Sequence, residues 1–307
     1  MIGVYGTVYN SVDTVSTTLE DLRRKLRDDF VVVVTDNYST DGTYESLSEY
    51  DFVVPLRVRA TRGRGRQIAL EYLIREYGDS LDYVFSLDLD VVFPNYFWTA
   101  LTGIMSRYSE GEVYGSFASA QTYSEILLRG VEWPDLNMAE DVGYDIELIR
   151  AGFRKYLLGF PFWYNQVRPA RERKYARGFR YWKRMFDIYI RASLLYKHVY
   201  LPLRVGRLFA IDYLMDNAAF LFPEDVGVDS RYLAAWAVYS KMKLPKSLYG
   251  ALSAHPGEYR ALVARGKDRL TYQFLVYRDA DAVSSVIKFF KTFHGGRVRD
   301  IDVSELL

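Results

Sequence analysis

Asp88 and Asp90 are the residues whose type and spacing most directly suggest chemistry. They are two carboxylates one residue apart, closing the apolar run Tyr83-Val84-Phe85-Ser86-Leu87. A central strand covered on both faces reads as continuous hydrophobics, so this run predicts a buried strand with an acidic tip. In an open α/β sheet the ligand crevice lies outside the carboxyl ends of the strands. Hard oxygen ligands there suit Mg²⁺ or Mn²⁺, held by one or two carboxylates together with phosphate oxygens of a substrate. A second acidic pair, Glu140-Asp141, precedes a helical pattern running from Val142 to Ala151 and stopped by Gly152. Acidic residues in a first turn also simply favour the helix dipole. Asp36 directly follows the apolar run from Phe30, and three arginines crowd Arg62-Gly63-Arg64-Gly65-Arg66. No Gly-Lys-Ser/Thr follows, so this is not a Walker A loop, but its arginines could counter a diphosphate with charge-assisted bonds.

Such groups act together only if a scaffold brings them to one edge. The patterns predict strands over Ile2 to Val8, Phe30 to Thr35 and Phe52 to Val58. They predict helices over Val12 to Leu26, Gly42 to Tyr50 and Gln67 to Tyr77, before the strand that ends at Asp88. This alternation implies a mostly parallel sheet with right-handed crossovers and helices on both faces, a Rossmann-like α/β layout. The loop Gly6-Thr7-Val8-Tyr9-Asn10-Ser11 follows the first strand, and Tyr9 brings a ring able to stack on a base. After the second strand, Ser39 or Asp41 can cap the next helix while Gly42 relieves the turn. Beyond Asp90 the expected elements are a helix over Asn95 to Tyr108, a strand over Val113 to Ser119 and a loop over Ser124 to Asn137.

Composition removes several classes. With 307 residues, half of them hydrophobic, the chain can bury a sizeable core in one or two domains. A formal net charge of +1 argues against a bulk polyanion binder. Nucleic acid is not an expected partner, because the one basic segment, Arg168 to Arg184, comes with no supporting fold motif. The absence of cysteine excludes disulfides, cysteine nucleophiles and thiolate metal sites. His198, His255 and His294 lie far apart in sequence, which argues against a serine-histidine triad or a His-rich metal site. No basic stretch followed by a long apolar core opens the chain, so the expected compartment is the cytoplasm.

Taken in order, Thr7-x-Tyr9-Asn10, Asp36-Asn37-x-Ser39-x-Asp41-Gly42-Thr43, Gly65-Arg66-Gln67, Asp88-x-Asp90 and Glu140-Asp141 resemble the motif series of family 2 glycosyltransferases with the GT-A fold. The resemblance covers roughly the first half of the chain. It implies a domain that binds a nucleotide-diphosphate sugar, a UDP- or GDP-sugar, and transfers the sugar with inversion at the anomeric carbon. On that resemblance Thr7 and Tyr9 flank the nucleotide base, and Asp36 reads it by accepting from a uracil- or guanine-type N–H. Arg66 falls near the ligand, with Arg62 and Arg64 as competitors. Asp88 lies near the ribose and metal, and Asp90 coordinates Mn²⁺ or Mg²⁺, which would bridge the two phosphates. Asp141 matches the general base that deprotonates the acceptor hydroxyl, and Glu140 positions the acceptor or Asp141. Trp98, Trp133, Trp163 and Tyr164 are candidate platforms for sugar rings.

Processive members of the family carry Gln-x-x-Arg-Trp, whereas Gln166-Val167-Arg168-Pro169 lacks the tryptophan. No run of about 20 nearly uncharged residues is visible either, so addition of a single sugar is expected. Arg168 to Lys174 reads as a lid over the diphosphate, with Arg171 and Lys174 as phosphate contacts. The expected organisation is a GT-A catalytic domain over 1–175 and a helix-rich region over 176–307. In the latter, Phe186 to Leu203 and Phe209 to Phe222 read as helices. Their Arg- and Tyr-rich character suits either packing on the sheet or in a homodimer, or peripheral contact with an anionic membrane near a lipid-linked acceptor. Thr271 to Tyr277, Ala280 to Phe293 and Val298 to Val303 read as strand, helix and strand of a small terminal unit. The acceptor is read only as a hydroxyl of a glycan, a lipid-linked molecule or a small molecule. A retaining GT-A transferase and a nucleotide-sugar-binding protein without catalysis remain alternative readings.

Overall fold

The computed structural model describes residues 1–26, 29–93, 111–115, 117–137, 140–158 and 165–167, then strands at 219–221, 236–239, 259–266, 271–277 and 296–301 with isolated positions near them. The chain divides into two compact units. The first comprises Met1–Phe93, Tyr108–Lys155 and Tyr164–Asn217; the second comprises Pro94–Arg107, Tyr156–Trp163 and Ala218–Leu307. The boundary expected at 175 lies outside the described residues.

The first unit is built on β1 (Ile2–Val8), β2 (Phe30–Asp36), β3 (Val53–Arg57) and β4 (Tyr83–Ser86). They run parallel in the order β4-β1-β2-β3. Every residue of β2 is buried, as a strand covered on both faces requires, whereas burial fades along β3 toward Arg57. Crossovers are made by α1 (Val12–Leu26), α2 (Thr43–Ser48) and α3 (Arg62–Tyr77). Val15, Leu19 and Leu22 form the buried stripe of α1, while Ala69, Leu70 and Leu73 seat α3 against β1 and β2. Fully burying an aliphatic side chain of this size contributes about 1.5–3 kcal/mol, so a few such contacts fix each helix to the sheet.

Beyond β4 the chain departs from the sequence expectation at two places. After β5 (Val91–Val92), the single strand expected over Val113 to Ser119 is two strands, β6 (Glu112–Tyr114) and β7 (Phe117–Ser119). They pair antiparallel across a turn in which Gly115 takes φ 54, a left-handed conformation that glycine adopts without a Cβ penalty. β7 in turn pairs antiparallel with β4. The expected loop over Ser124 to Asn137 begins as a helix, α4 (Ala120–Leu128), capped by Ser119, whose Oγ accepts from Thr122 N–H at 3.0 Å. Helix α5 (Glu140–Arg150) takes the Glu140-Asp141 pair as its first turn. The expected helix over Asn95 to Tyr108 lies mostly outside the described residues.

After α5 come β8 (Arg154–Leu158), β9 (Asn165–Gln166) and β10 (Ala219–Leu221), and β8 pairs parallel with β10. The described remainder of the second unit is an antiparallel sheet. Its strands are β11 (Trp236–Tyr239), β12 (Tyr259–Gly266), β13 (Thr271–Tyr277) and β14 (Gly296–Ile301), in the order β11-β13-β12-β14. Sequence patterns capture β13 and most of β14 but not β11 or β12, nor the strand at 219–221 within an expected helix. The expected helix over Phe186 to Leu203 lies outside the described residues. Among the described residues, no helix is long and apolar enough to cross a membrane.

Candidate active site

The loops after β1 and β2 are bound to each other by side chains. Asn10 N–H donates to Ser39 Oγ at 2.8 Å, and Asn10 Oδ1 accepts from Thr40 N–H at 2.9 Å. Asp41 accepts from Val12 N–H at 3.3 Å and from Thr43 N–H at 3.1 Å, joining the starts of α1 and α2. Burial would raise the Asp41 carboxyl, but the hydrogen bond from the Thr43 hydroxyl, with those from the Val12 and Thr43 N–H groups, outweighs it and holds the group below its ordinary value. The N-cap of α2 is Gly42, so neither Ser39 nor Asp41 is the capping residue expected; Asp41 accepts from the first residue of each helix, and Ser39 fixes the neighbouring loop. Asn10 and Tyr38 adopt φ 48 and 53; the left-handed region suits asparagine and costs a bulky residue roughly 1–3 kcal/mol. The rings of Tyr9 and Tyr38 are half exposed, and Thr7 donates to the Thr35 carbonyl at 3.2 Å. Asp36 closes β2 and is wholly buried.

Helix α3 starts at Arg62, five residues before the expected Gln67, so the arginine run forms its first turns rather than a loop. Thr61 caps it, its Oγ1 accepting from Arg64 N–H at 3.2 Å. The two glycines in this run answer to space. A Cβ at Gly63 would lie 1.8 Å from the Pro134 carbonyl oxygen, and one at Gly65 would lie 2.6 Å from Thr7 Oγ1. The helix start is therefore pressed between the sheet end and the segment 131–137, where Gly63 N–H donates to the Leu136 carbonyl at 2.9 Å.

Arg62 and Arg66 stand one turn apart and share the same two carboxylates. Arg66 lies 2.5 Å from Asp88 Oδ1 and 2.7 Å from Glu140 Oε1; Arg62 lies 3.2 Å from each of the same atoms. Arg66 and Glu140 are buried. Burial opposes the charge on Arg66, but Asp88, Glu140 and Asp141 more than offset it, and its pKa lies above the ordinary value. The same causes act on Arg62. Trp133 backs this bridge. The Arg66 guanidinium lies over its ring at 4.9 Å, Tyr144 stacks on it at 4.2 Å, and its indole N–H donates to Tyr5 Oη at 3.2 Å. Only 6% exposed, Trp133, one of the four candidate sugar platforms, is instead a buried support.

Leu87 and Leu89 are buried while Asp88 and Asp90 are half buried, so the two carboxylates leave the core together. From one side α1 fixes the residues after Asp90: Thr18 Oγ1 donates to the Val91 carbonyl at 2.9 Å, and Asp21 accepts from Phe93 N–H at 3.0 Å. On the other, β5 pairs antiparallel with β9, and Val167 N–H donates to the Asp90 carbonyl at 2.8 Å. The segment leading into the basic run thus starts beside Asp90. Arg171 and Lys174, with Trp98, Trp163 and Tyr164, lie outside the described residues. Asp141 is exposed at the first turn of α5. One turn further, Asp145 is 2.7 Å from the buried Lys155, which anchors that helix. Arg62, Trp133 and Lys155 were not singled out for these roles by sequence. Thr61 ahead of the arginine run was the available signal for the first of them.

Parallel strands delivering carboxylates, arginines and exposed rings to their carboxyl ends define an α/β domain of the nucleotide-binding kind. Residues 5–137 match the family described as glycosyl transferase family 2. Solved structures with similarity include S. aureus TarS 1-349, at 14% identity over 75% of this chain and 84% of that one, with a TM-score of 0.44. TarS 1-349 in complex with UDP-GlcNAc gives 15% identity, the same coverages and a TM-score of 0.46. The Pyrobaculum calidifontis mannosyltransferase PcManGT, in complex with GDP-Man and Mn2+, gives 18% identity over 70% and 73%, with a TM-score of 0.45. No curated protein sequence matches the chain.

Proposed function

We propose that this glycosyltransferase moves a single sugar from a nucleoside-diphosphate sugar to an acceptor hydroxyl, with inversion at the anomeric carbon and with a divalent cation. The observation that carries this reading is the Arg62/Arg66 bridge, which ties the acidic end of β4 to the head of α5. Carboxylates suited to the donor side and to the acceptor side thereby belong to one rigid cluster. Asp88 and Asp90 are the residues that would hold Mn²⁺ or Mg²⁺. Their half-buried pair fits a cation that takes its remaining oxygens from phosphate and water. When bound, the cation supplies charge stabilisation for the departing diphosphate. Since two arginines already hold Asp88, that carboxylate is also a fixed partner for the bridge.

The exposure of Asp141 beside the buried Glu140 supports Asp141 as the base and Glu140 as the group that fixes it. Asp141 takes the proton of the acceptor hydroxyl as its oxygen attacks the anomeric carbon. The bond from that carbon to the diphosphate breaks on the opposite face, so one displacement inverts the centre. Thr7 and Tyr9 flank the base, and Arg171 and Lys174, whose charges suit phosphate oxygens, are the further donor contacts. The acceptor is a glycan, a lipid-linked molecule or a small molecule.

Thermal unfolding in the presence of UDP, GDP and their sugars, with and without Mn²⁺, tests the donor reading. A ligand at about 100 times its Kd adds about 2.7 kcal/mol to stability. That corresponds to a rise of roughly 5–10 °C for a domain of 150–250 residues. Mn²⁺ enlarges the rise in the wild type, and Asp90→Asn removes only the Mn²⁺ increment. No response to any of these nucleotides contradicts the reading; an undiminished increment in Asp90→Asn moves the cation away from Asp90.

A further inference from the structure

The segment before α5 is fastened along the start of α3. Trp133 N–H donates to Gln67 Oε1 at 3.0 Å, and the Leu136 carbonyl accepts from Gly63 N–H at 2.9 Å. Between and beyond them, Asp135 accepts from the Thr61 hydroxyl, and Asn137 Oδ1 accepts from Arg62 N–H at 3.2 Å. Trp133 and Leu136 are buried, whereas Asp135 and Asn137 are exposed. Arg62 then takes the chain a second time, because its guanidinium lies 3.2 Å from Glu140. One residue therefore pins both ends of the stretch from Asn137 to Glu140, its backbone holding the first and its side chain the last. Asp141 follows directly, exposed in the first turn of α5, where backbone N–H groups lack intrahelical partners and the helix start depends on outside contacts. The head of α3 is spent on this fastening: the N–H groups of Arg62, Gly63 and Arg64 are taken by Asn137, Leu136 and Thr61.

We infer that Asp135 and Asn137 are positioning residues that set the place of Asp141 by clasping the segment 133–137 to the head of α3. This rests on the reading of Asp141 as the general base. Exposed hydrogen bonds of this kind add little to the stability of a fold, because water replaces them when they break. Their consequence is geometric. A base works only within hydrogen-bond reach of the proton it takes, and a misplacement of about 1 Å can cost about 10²-fold in rate. The buried contacts at Trp133, Leu136 and Glu140 secure the segment as a whole; the exposed pair fixes the direction in which it enters α5.

The test on the full chain combines release of sugar to water from a UDP- or GDP-sugar, whichever the wild type turns over with Mn²⁺, and calorimetric titration of the matching nucleoside diphosphate. Asn137→Ala lowers kcat by about 10- to 100-fold, while nucleotide affinity changes by less than about twofold and the melting temperature falls by no more than about 2–4 °C. Asn137→Asp, which keeps an acceptor oxygen for the Arg62 N–H, retains wild-type turnover. Asp135→Ala repeats the loss and Asp135→Asn, whose carbonyl oxygen still accepts from Thr61, restores it. In the Asp141→Asn background Asn137→Ala adds nothing, because the group it places is already gone. Wild-type turnover in both alanine variants overturns the inference. So does a loss of nucleotide affinity as large as the loss of kcat, or a full further loss from Asn137→Ala in the Asp141→Asn background. Full activity of Asp141→Asn by itself defeats the reading of the base, and a wild type that releases no sugar defeats the transfer reading.

Discussion

Asp141→Asn is expected to lower turnover by about 10²–10⁴-fold while donor affinity stays near that of the wild type. A general base takes its proton in the transition state, and proton transfer of this kind is typically worth about that factor. Asparagine keeps the shape and removes the basicity. The interaction lost is therefore one made mainly in the transition state, so kcat falls with little change in ground-state binding. Glu140 is buried and engaged by two arginines, whereas Asp141 is exposed one residue later. Glu140→Gln accordingly acts through the bridge and produces a smaller loss. Steady-state rates with titration of the donor separate the two. Normal turnover in Asp141→Asn together with an inactive Glu140→Gln exchanges their roles, and full activity in both moves the base elsewhere.

The second large effect concerns stability. Arg66→Met removes a buried guanidinium that bridges Asp88 and Glu140, leaving Glu140 dependent on the longer contact with Arg62. Breaking a buried pair by removing one partner typically costs about 3–5 kcal/mol, because the remaining charge stays desolvated. Thermal unfolding is expected to shift down by roughly 10 °C at the usual 2–4 °C per kcal/mol for a domain of this size. Adding Glu140→Gln to Arg66→Met recovers part of that loss, because the uncompensated carboxylate is then gone. Purely additive losses contradict a shared buried network, and an unchanged melting temperature removes the bridge as a stabilising element.

The parallel core was legible because β1, β2 and β4 are apolar runs separated by helical patterns, and burial on both faces leaves that signature. The carboxylates at strand ends and at the head of α5 were legible for the same reason: the elements set their places. What stayed hidden depends on contacts distant in sequence. Gly63 and Gly65 look like loop residues because glycine is a poor helix former. Their reason is close approach to Pro134 and Thr7, which no local pattern records. Trp133 reads equally as a platform or as core until Arg66 and Tyr144 are seen against its ring. Asp36 was singled out correctly as a strand-end carboxylate, but its burial under Ser39 and Arg57 belongs to the folded chain alone. In the second unit β12 pairs with β13 and β14, yet its alternation is interrupted by small and charged residues, a weak strand signal on its own.

The central claim, a single inverting displacement at this site, is tested most directly by following early product stereochemistry. Proton NMR of the sugar released to water or to an acceptor from an α-linked nucleotide-sugar donor, in the presence of Mn²⁺, reports the anomer before mutarotation scrambles it. A β product that appears with the wild type and is suppressed in Asp141→Asn is the predicted result. An α product contradicts the single displacement, and the absence of sugar release from any UDP- or GDP-sugar contradicts the proposed transfer.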